Sequence, residues 1–178
     1  MTNRSAQLAA GLAAMLIISN YQYAFGPVFA VPIQEAFGLS KARTMSIFFL
    51  FSLSQTLPVP LWGWASERWG ARPVALAGGA LMALGWLVCA AAKSAAMLTL
   101  GYSILAGVGV GMLYIVALSS AVKWHPESRG FASGLTLVGF GTGASLSIIP
   151  LQWGVANFGL ARTFAAAGLI HGLSLIHI

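Results

Sequence analysis

The sequence predicts an all-α membrane protein, and two observations carry that prediction. Hydrophobic residues make up 58% of the chain and charged residues 7%, whereas an ordinary soluble domain carries roughly a quarter charged residues. The charges also divide the chain into long apolar stretches, each near or above the roughly 20 residues that a helix needs to cross a bilayer. So little charge cannot cover a globule of this size, and the apolar surplus is therefore predicted to face lipid.

The apolar stretches are long enough to predict each helix in order. Five of them are free of charged residues, and a sixth begins near Thr163; the five cover 8–34, 44–66, 73–92, 94–122 and 130–161. None shows the strict alternation of a barrel strand. Because a bilayer offers no water to unsatisfied backbone groups, the stretches should be helical. The predicted helices are at about 8–31, 44–65, 73–92, 96–121, 130–154 and 161–172.

The remaining composition argues against soluble functions. In a soluble protein the net charge of +6 would suggest a nucleic-acid-binding function. Here, however, the nine Lys and Arg are scattered between apolar stretches and form no patch. The single cysteine, Cys89, excludes an intrachain disulfide and a cysteine metal cluster. His125 and His171 have no nucleophile–base or metal spacing around them. The sequence therefore predicts no enzyme, no cofactor, no metal and no nucleic-acid partner.

Two glycine series mark helix contacts. Gly107 and Gly111 in one apolar stretch, and Gly139 and Gly143 in another, stand four residues apart. That spacing lets membrane helices approach closely. A nucleotide-binding loop would need a preceding strand and, for a phosphate loop, a Gly-Lys-Ser/Thr ending, and neither is present in the sequence. The four glycines are therefore assigned to helix packing.

The segment between the second and third stretches reads Gly-Trp-Ala-Ser-Glu-Arg-Trp-Gly-Ala-Arg-Pro, from residue 63 to residue 73. Gly63 and Gly70 permit a tight turn and close backbone approach. Glu67 beside Arg68 and Arg72 can make charge-assisted hydrogen bonds at a helix end. The alternative is an ordinary turn whose surface ion pairs contribute little.

This segment resembles the signature of the major facilitator superfamily, Gly-x-x-x-Asp-Arg-x-Gly-Arg-Arg/Lys, which lies between helices 2 and 3. Glu67 replaces the usual aspartate and Ala71 replaces one basic residue. The resemblance implies that Gly63, Glu67, Arg68, Gly70 and Arg72 form a cytoplasmic gate motif. The glutamate side chain is one methylene longer than the aspartate that it replaces.

Further stretches resemble the oxalate/formate antiporter family within that superfamily, and the related monocarboxylate transporters share much of the pattern. The stretches are Gln22-Tyr23, 31–38, 70–79, 107–114, 123–134 and 139–143. The resemblance implies the N-terminal six-helix lobe of the major facilitator fold within residues 1–172, with five complete transmembrane helices and a truncated sixth. It also implies a multi-pass protein of the inner (plasma) membrane with a cytoplasmic N-terminus, which five loop cations against four favour slightly.

The last six residues, 173–178, read Leu-Ser-Leu-Ile-His-Ile. They match the translation of CTG TCT CTT ATA CAC ATC, which resembles a transposase end sequence used as an adapter in sequencing libraries. We interpret them as a non-native tail. The alternative is a genuine apolar helix segment.

The resemblance implies a substrate cavity as well. In the antiporter family, aromatic and glutamine side chains of the N-terminal half line the central cavity, and Gln22, Tyr23, Tyr114 and Phe140 match such positions. The Gln22 amide and the tyrosine hydroxyls can donate hydrogen bonds to a carboxylate. Phe140 stands where the family often has tyrosine, so one hydroxyl is missing. Alternatively, the tyrosines belong to the aromatic belts at the membrane interfaces.

No charged residue lies well inside a predicted span. A charge within the membrane indicates a function by default. Because the predicted spans contain no such charge, this half supplies neither a cationic anchor for an anion nor a carboxylate proton relay. Ser103 stands where many drug/proton antiporters have an arginine, which argues against that class. In the antiporter family the cationic anchors lie in the C-terminal half, so the expected partners are a C-terminal lobe, the bilayer and a small organic anion.

Three hypotheses follow. The leading one is secondary active transport of small carboxylates, of the oxalate/formate antiport type, by alternating access, with this chain as a fragment of the transporter. The second is a monocarboxylate/proton symporter. The third, from another class, is a non-transporting membrane receptor or sensor, which would need a soluble signalling domain.

Overall fold

The computed structural model describes residues 4–174, apart from the side chains at positions 5–7, 20, 21, 144, 173 and 174. Within that range the chain forms six long helices, some of them irregular, which are joined by short turns. Helix α1 consists of Arg4–Tyr23, a π-helical segment Phe25–Phe29 and Ala30–Phe37. The other five helices are α2 (Lys41–Trp69, with a turn at 57–58), α3 (Ala71–Ala90), α4 (Ala95–Trp124, with a π-helical segment Leu100–Ala106), α5 (Arg129–Phe158) and α6 (Leu160–Ser174).

Helices α2 to α5 are long and apolar enough to cross a membrane. In α1 the apolar α-helical stretch is shorter, Leu8–Ser19. The predicted first span, 8–31, is interrupted at Ala24, and the π-helical segment around Pro27 follows. Proline has no backbone N–H, so it cannot complete the regular ladder of helical hydrogen bonds at that level. Residues 175–178 of the predicted non-native tail lie outside the described residues.

The turns between the helices are short, so each helix runs back along the one before it. Single glycines join α2 to α3 and α5 to α6: Gly70 has a φ of 92° and Gly159 a φ of 79°, a region that side chains disfavour. Consecutive helices are therefore antiparallel. The proximal end of the bundle contains the start of α1 and the turns at 70 and 125–128, and the distal end contains the turns at 38–40, 91–94 and 159.

Close glycine contacts hold the bundle together. A methyl group on Gly139 of α5 would lie 2.6 Å from the Leu12 carbonyl oxygen of α1. On Gly109 of α4 it would lie 2.5 Å from the Gly78 carbonyl oxygen of α3, and on Gly107 it would lie 3.0 Å from the Phe51 carbonyl oxygen of α2. Only glycine permits such backbone contacts, which are a typical feature of membrane helix pairs.

Closely packed aromatic rings, tilted against one another, fill the core in the distal half. Phe25 and Phe51 each lie 4.9 Å from the Tyr102 ring, measured between ring centroids. Trp86 of α3 lies 5.0 Å from Phe164 of α6. These rings bury large apolar surfaces where α1, α2, α3, α4 and α6 meet.

The charged residues occupy the two ends of the bundle. The proximal end carries Arg4, Glu67, Arg68, Arg72, Lys123, Glu127 and Arg129, and the distal end carries Glu35, Lys41, Arg43, Lys93 and Arg162. All twelve, the nine Lys and Arg plus the three Asp and Glu of the chain, fall within the described residues. The middle of each helix is thus free of formal charge, as a hydrocarbon environment requires.

Candidate functional site

Three aromatic side chains from different helices form one cluster. The ring of Phe140, on α5, lies 5.6 Å from the ring of Tyr23 on α1 and 5.5 Å from the ring of Tyr114 on α4, measured between centroids. The interplanar angles of 65° and 73° are edge-to-face arrangements, which aromatic pairs prefer. The structure thus brings together three of the four residues that the resemblance assigns to a cavity.

The cluster lies about halfway along the bundle. Tyr114 is ten residues before the last residue of α4, Trp124, which corresponds to about 15 Å along the helix axis. Phe140 is eleven residues after the first residue of α5, or about 16 Å from the proximal end. A bilayer core is about 30 Å thick, so these rings are near its middle.

The cluster presents polar atoms as well as rings. Phe140 is 9% exposed, Tyr23 is 44% exposed and Tyr114 is half-buried. Among the described residues, neither the Tyr23 nor the Tyr114 hydroxyl has a hydrogen-bond partner. Both hydroxyls therefore have hydrogen-bonding capacity that no described residue uses.

Gln22 precedes Tyr23 immediately before the bend at Ala24. Its Oε1 atom is buried and has no hydrogen-bond partner among the described residues. A buried polar atom without a partner is costly and calls for an explanation. An amide can also rotate to present its N–H donors instead of its oxygen. The π-helical segment that follows is of a kind often found at functional sites.

The predicted gate motif forms the turn between α2 and α3 at the proximal end. Gly70 is the single residue between the two helices. The Arg68 guanidinium carbon lies 6.0 Å from the centroid of the Trp64 ring, within the range of a cation–π contact. At Gly63 a methyl group would meet Ile115 at an ordinary 3.8 Å.

Glu67 does not pair with the neighbouring arginines. In residues 4–174 the recorded ion pair is Arg4–Glu127, at 2.7 Å, and no cation lies within 4.0 Å of the Glu67 carboxylate. Glu67, Arg68 and Arg72 are all exposed. Water solvates such side chains well, so an ion pair between them would gain little.

Arg72 instead borders a cavity of about 400 Å³ between α1, α3 and α4. The cavity is lined mainly by small and aliphatic side chains, among them Ala10, Gly11 and Ala75. This places one cation of the motif beside an uncovered part of the bundle at the proximal end.

Two polar residues of α2 were missed by the sequence reasoning. Gln55 is 9% exposed at the level of Gly111, where an added methyl group would clash with the Gln55 backbone oxygen. The Trp62 indole nitrogen is buried and has no hydrogen-bond partner among the described residues. In the sequence, the one feature that could have pointed to these residues is that each has an uncharged polar group within a mainly apolar stretch.

Ser103 has a structural contact. It is fully buried, and its hydroxyl donates a 2.7 Å hydrogen bond to the Ile47 carbonyl oxygen, which ties α4 to α2. His171 stacks on Trp86 with an interplanar angle of 6°. Over residues 4–174 there is no group of three or more His, Cys, Asp or Glu that could hold a metal ion.

The family model of the Major Facilitator Superfamily matches residues 10–178. The chain belongs to this superfamily. Its members are membrane transporters rather than enzymes, and the apolar helices of this chain make it a multi-pass membrane protein. The match extends over nearly the whole chain, so the resemblance carried by the turn at residues 63–73 is confirmed.

Individual members of the superfamily show where the similarity lies. The chain is 34% identical to an oxalate:formate antiporter of Oxalobacter formigenes over 99% of this chain and 42% of that protein. It is 33% identical to monocarboxylate transporter 11 of Mus musculus over 82% of this chain and 32% of that protein. It is also 37% identical to apicoplast pyruvate carrier 1 of Toxoplasma gondii over 57% of this chain and 19% of that protein. The chain thus spans less than half the length of these relatives.

Proposed function

We propose that this chain is the N-terminal lobe of a secondary transporter that exchanges small carboxylates, as in oxalate/formate antiport. The observation that carries the proposal is the cluster of Tyr23, Phe140 and Tyr114 halfway along the bundle. Gln22, the residue before Tyr23, has a buried amide oxygen that lacks a hydrogen-bond partner among the described residues. Ligand sites of secondary transporters lie near the membrane midplane, between two lobes and beside interrupted helices.

The proposed architecture has five complete transmembrane helices and a partial sixth, with the C-terminal lobe supplied by the rest of the transporter. The 42% coverage of the Oxalobacter antiporter supports a half-transporter. We place the proximal end on the cytoplasmic side of the inner (plasma) membrane. It carries five cations against four at the distal end, and cytoplasmic loops are generally richer in Lys and Arg.

The chemistry of the cluster suits a small organic anion when a second lobe completes it. A carboxylate that leaves water needs hydrogen-bond donors in its place, and the Gln22 amide and the hydroxyls of Tyr23 and Tyr114 are such donors. Phe140 adds an apolar ring without a hydroxyl. This lobe has no charge halfway along its helices, so the positive charge for the anion must come from the C-terminal lobe.

Transport then proceeds by alternating access, in which the two lobes rock around the central site. The gate motif, Gly63 to Arg72, would latch the lobes together on the cytoplasmic side. Glu67 has no ion-pair partner within the described residues, which leaves its carboxylate available for a cation or a helix N-terminus of the other lobe.

A monocarboxylate/proton symporter is the second candidate, because similarity to monocarboxylate transporter 11 is nearly as high as that to the antiporter. The two are distinguished in vesicles that contain the complete transporter. Oxalate–formate exchange that is independent of a pH gradient favours the antiporter, whereas lactate uptake that is driven by a pH gradient favours the symporter. A receptor or sensor would bind a carboxylate without moving it in either assay.

Two substitutions in the complete transporter test the proposed site. Tyr114→Phe and Gln22→Ala should each slow carboxylate exchange about tenfold, since the loss of one hydrogen bond to a charged group costs roughly 1.5–3 kcal/mol. The melting temperature of the Tyr114→Phe variant should be unchanged, because the hydroxyl has no partner among the described residues.

Ser119→Ala is the matched control, because its hydroxyl bonds locally to the Val116 carbonyl oxygen of the same helix. Its exchange rate should equal that of the unmodified transporter. If both Tyr114→Phe and Gln22→Ala exchanged carboxylates at the rate of the unmodified transporter, the proposed site would be wrong.

A further inference from the structure

A cleft opens between α5 and α6 on the surface of the bundle, away from the aromatic cluster. Its volume is about 610 Å³, within the range of small-ligand sites. Most of its lining is apolar, and includes Ile17, Pro150, Gly154, Ala166 and Ile170. Ala166 and Ile170 are exposed on α6, so the cleft is open to the surroundings of the helix pair.

The sequence explains why the two helices part here. Pro150 lies inside α5 and removes one helical hydrogen bond. The helices meet closely at Gly154, where a methyl group would lie 3.2 Å from the Thr163 hydroxyl oxygen. Because the residues beside this contact, Ala166 and Ala167, are small, they leave space instead of filling it.

The cleft has a cation at its distal end. Arg162, in the first turn of α6, is exposed and is the cation among the residues that line the cleft, none of which is acidic. Among the described residues, no carboxylate lies within 4.0 Å of its guanidinium group. An apolar cleft with an unpaired cation at one end is complementary to an amphipathic anion.

Aromatic residues indicate the depth of that cation in the membrane. Trp153 and Phe158 also line the cleft, are exposed, and meet edge to face at 5.2 Å between centroids. Tryptophan is enriched at the level of the lipid headgroups, so Arg162 lies at that level. From Arg162 the cleft extends to His171, which is about 14 Å along α6 and lies in the hydrocarbon region.

We propose that this cleft binds one anionic phospholipid. The phosphate contacts the Arg162 guanidinium, which is a planar donor suited to phosphate. One acyl chain lies along Ala166 and Ile170 toward Ile17, and Trp153 borders the headgroup. The site is independent of the proposed carboxylate site and requires only that the chain be in a membrane or a detergent micelle.

The test is native mass spectrometry of the purified 178-residue chain in detergent, titrated with phosphatidylglycerol or with phosphatidylcholine. Phosphatidylglycerol should bind about fivefold more tightly, because a basic residue near the surface contributes about 1 kcal/mol toward an anionic lipid. Arg162→Gln should abolish that preference. Arg162→Lys, which keeps the charge, should retain most of it.

Arg43→Gln is the matched control, since Arg43 is an exposed cation at the same end of the bundle but outside the cleft. It should leave the preference intact. Ala166→Trp fills the cleft and should weaken the binding of both lipids, while circular dichroism verifies the helix content of every variant. Equal binding of the two lipids, an equal loss in Arg43→Gln, or occupation of the cleft by a second copy of the chain would overturn the proposal.

Discussion

Helix α4 has two unlike sides. Toward α3 and α2 it is held by glycines whose absent side chains bring backbones into contact, as at Gly109 and Gly107. Toward α5 it presents Tyr114, whose ring meets Phe140 edge to face and whose hydroxyl has no partner among the described residues. The contrast shows that one helix can pack backbone to backbone on one side while its other side keeps a tyrosine hydroxyl without a partner among the described residues.

The largest effect is expected on the packed side. In Gly109→Ala the new methyl group would lie 2.5 Å from the Gly78 carbonyl oxygen and 2.8 Å from the Met82 backbone nitrogen. Backbone atoms cannot move aside without separating α3 from α4. The free energy of unfolding should therefore fall by about 2–3 kcal/mol, measured by thermal melting in detergent with tryptophan fluorescence.

Gly141→Ala is the matched control, because no described atom lies within 4 Å of a methyl group at Gly141. Alanine favours the helix by about 1 kcal/mol over glycine, so this variant should melt no lower than the unmodified chain. Equal destabilisation of the two variants would show that glycine content, and not close packing, distinguishes the two sides.

The helices could be predicted from the sequence because a bilayer leaves the backbone no other regular choice over uncharged stretches of this length. Their irregularities could not. Pro27 indicates an irregularity in α1 but not its form, because the π-helical segment depends on how the neighbouring structure accommodates the backbone group that proline leaves without a partner. The close contact at Gly143 and the open space at Gly141 also look alike in the sequence, and only the neighbouring α1 distinguishes them.

The candidate site could be predicted less well. The three rings of the cluster come from residues far apart along the chain, Tyr23, Tyr114 and Phe140. No local sequence pattern predicts that these rings meet, and only the family resemblance grouped them. Gln55 and Trp62 were missed because uncharged polar groups scattered through an apolar stretch cannot be told apart from packing residues until their burial is known. The predicted pairing of Glu67 with arginines depends on solvent exposure, which spacing alone does not reveal.

A smaller effect is expected where α4 meets α2 through a side chain. Ser103→Ala removes the 2.7 Å hydrogen bond to the Ile47 carbonyl oxygen inside the packed side. Such bonds between membrane helices contribute about 1 kcal/mol or less, so the melting temperature should fall by less than in Gly109→Ala. Ser119→Ala, which loses only a bond to Val116 of its own helix, should be closer to the unmodified chain. A larger loss in Ser119→Ala would contradict the assignment of Ser103 as an interhelical link.

The smallest effect is expected at the proximal end, where the Arg4–Glu127 ion pair joins the start of α1 to the turn before α5 at 2.7 Å. The same two helices are joined deeper in the bundle by the glycine contact at Gly139 and Leu12. Both charged side chains are more than half exposed, at 59% and 58%, so water and salt screen their attraction. Glu127→Gln should lower the free energy of unfolding by less than about 0.5 kcal/mol, and the difference from the unmodified chain should vanish at high salt. A loss as large as that of Gly109→Ala, or one that persists at high salt, would mean that the ends of the bundle hold it together as much as the glycine contacts between its helices do.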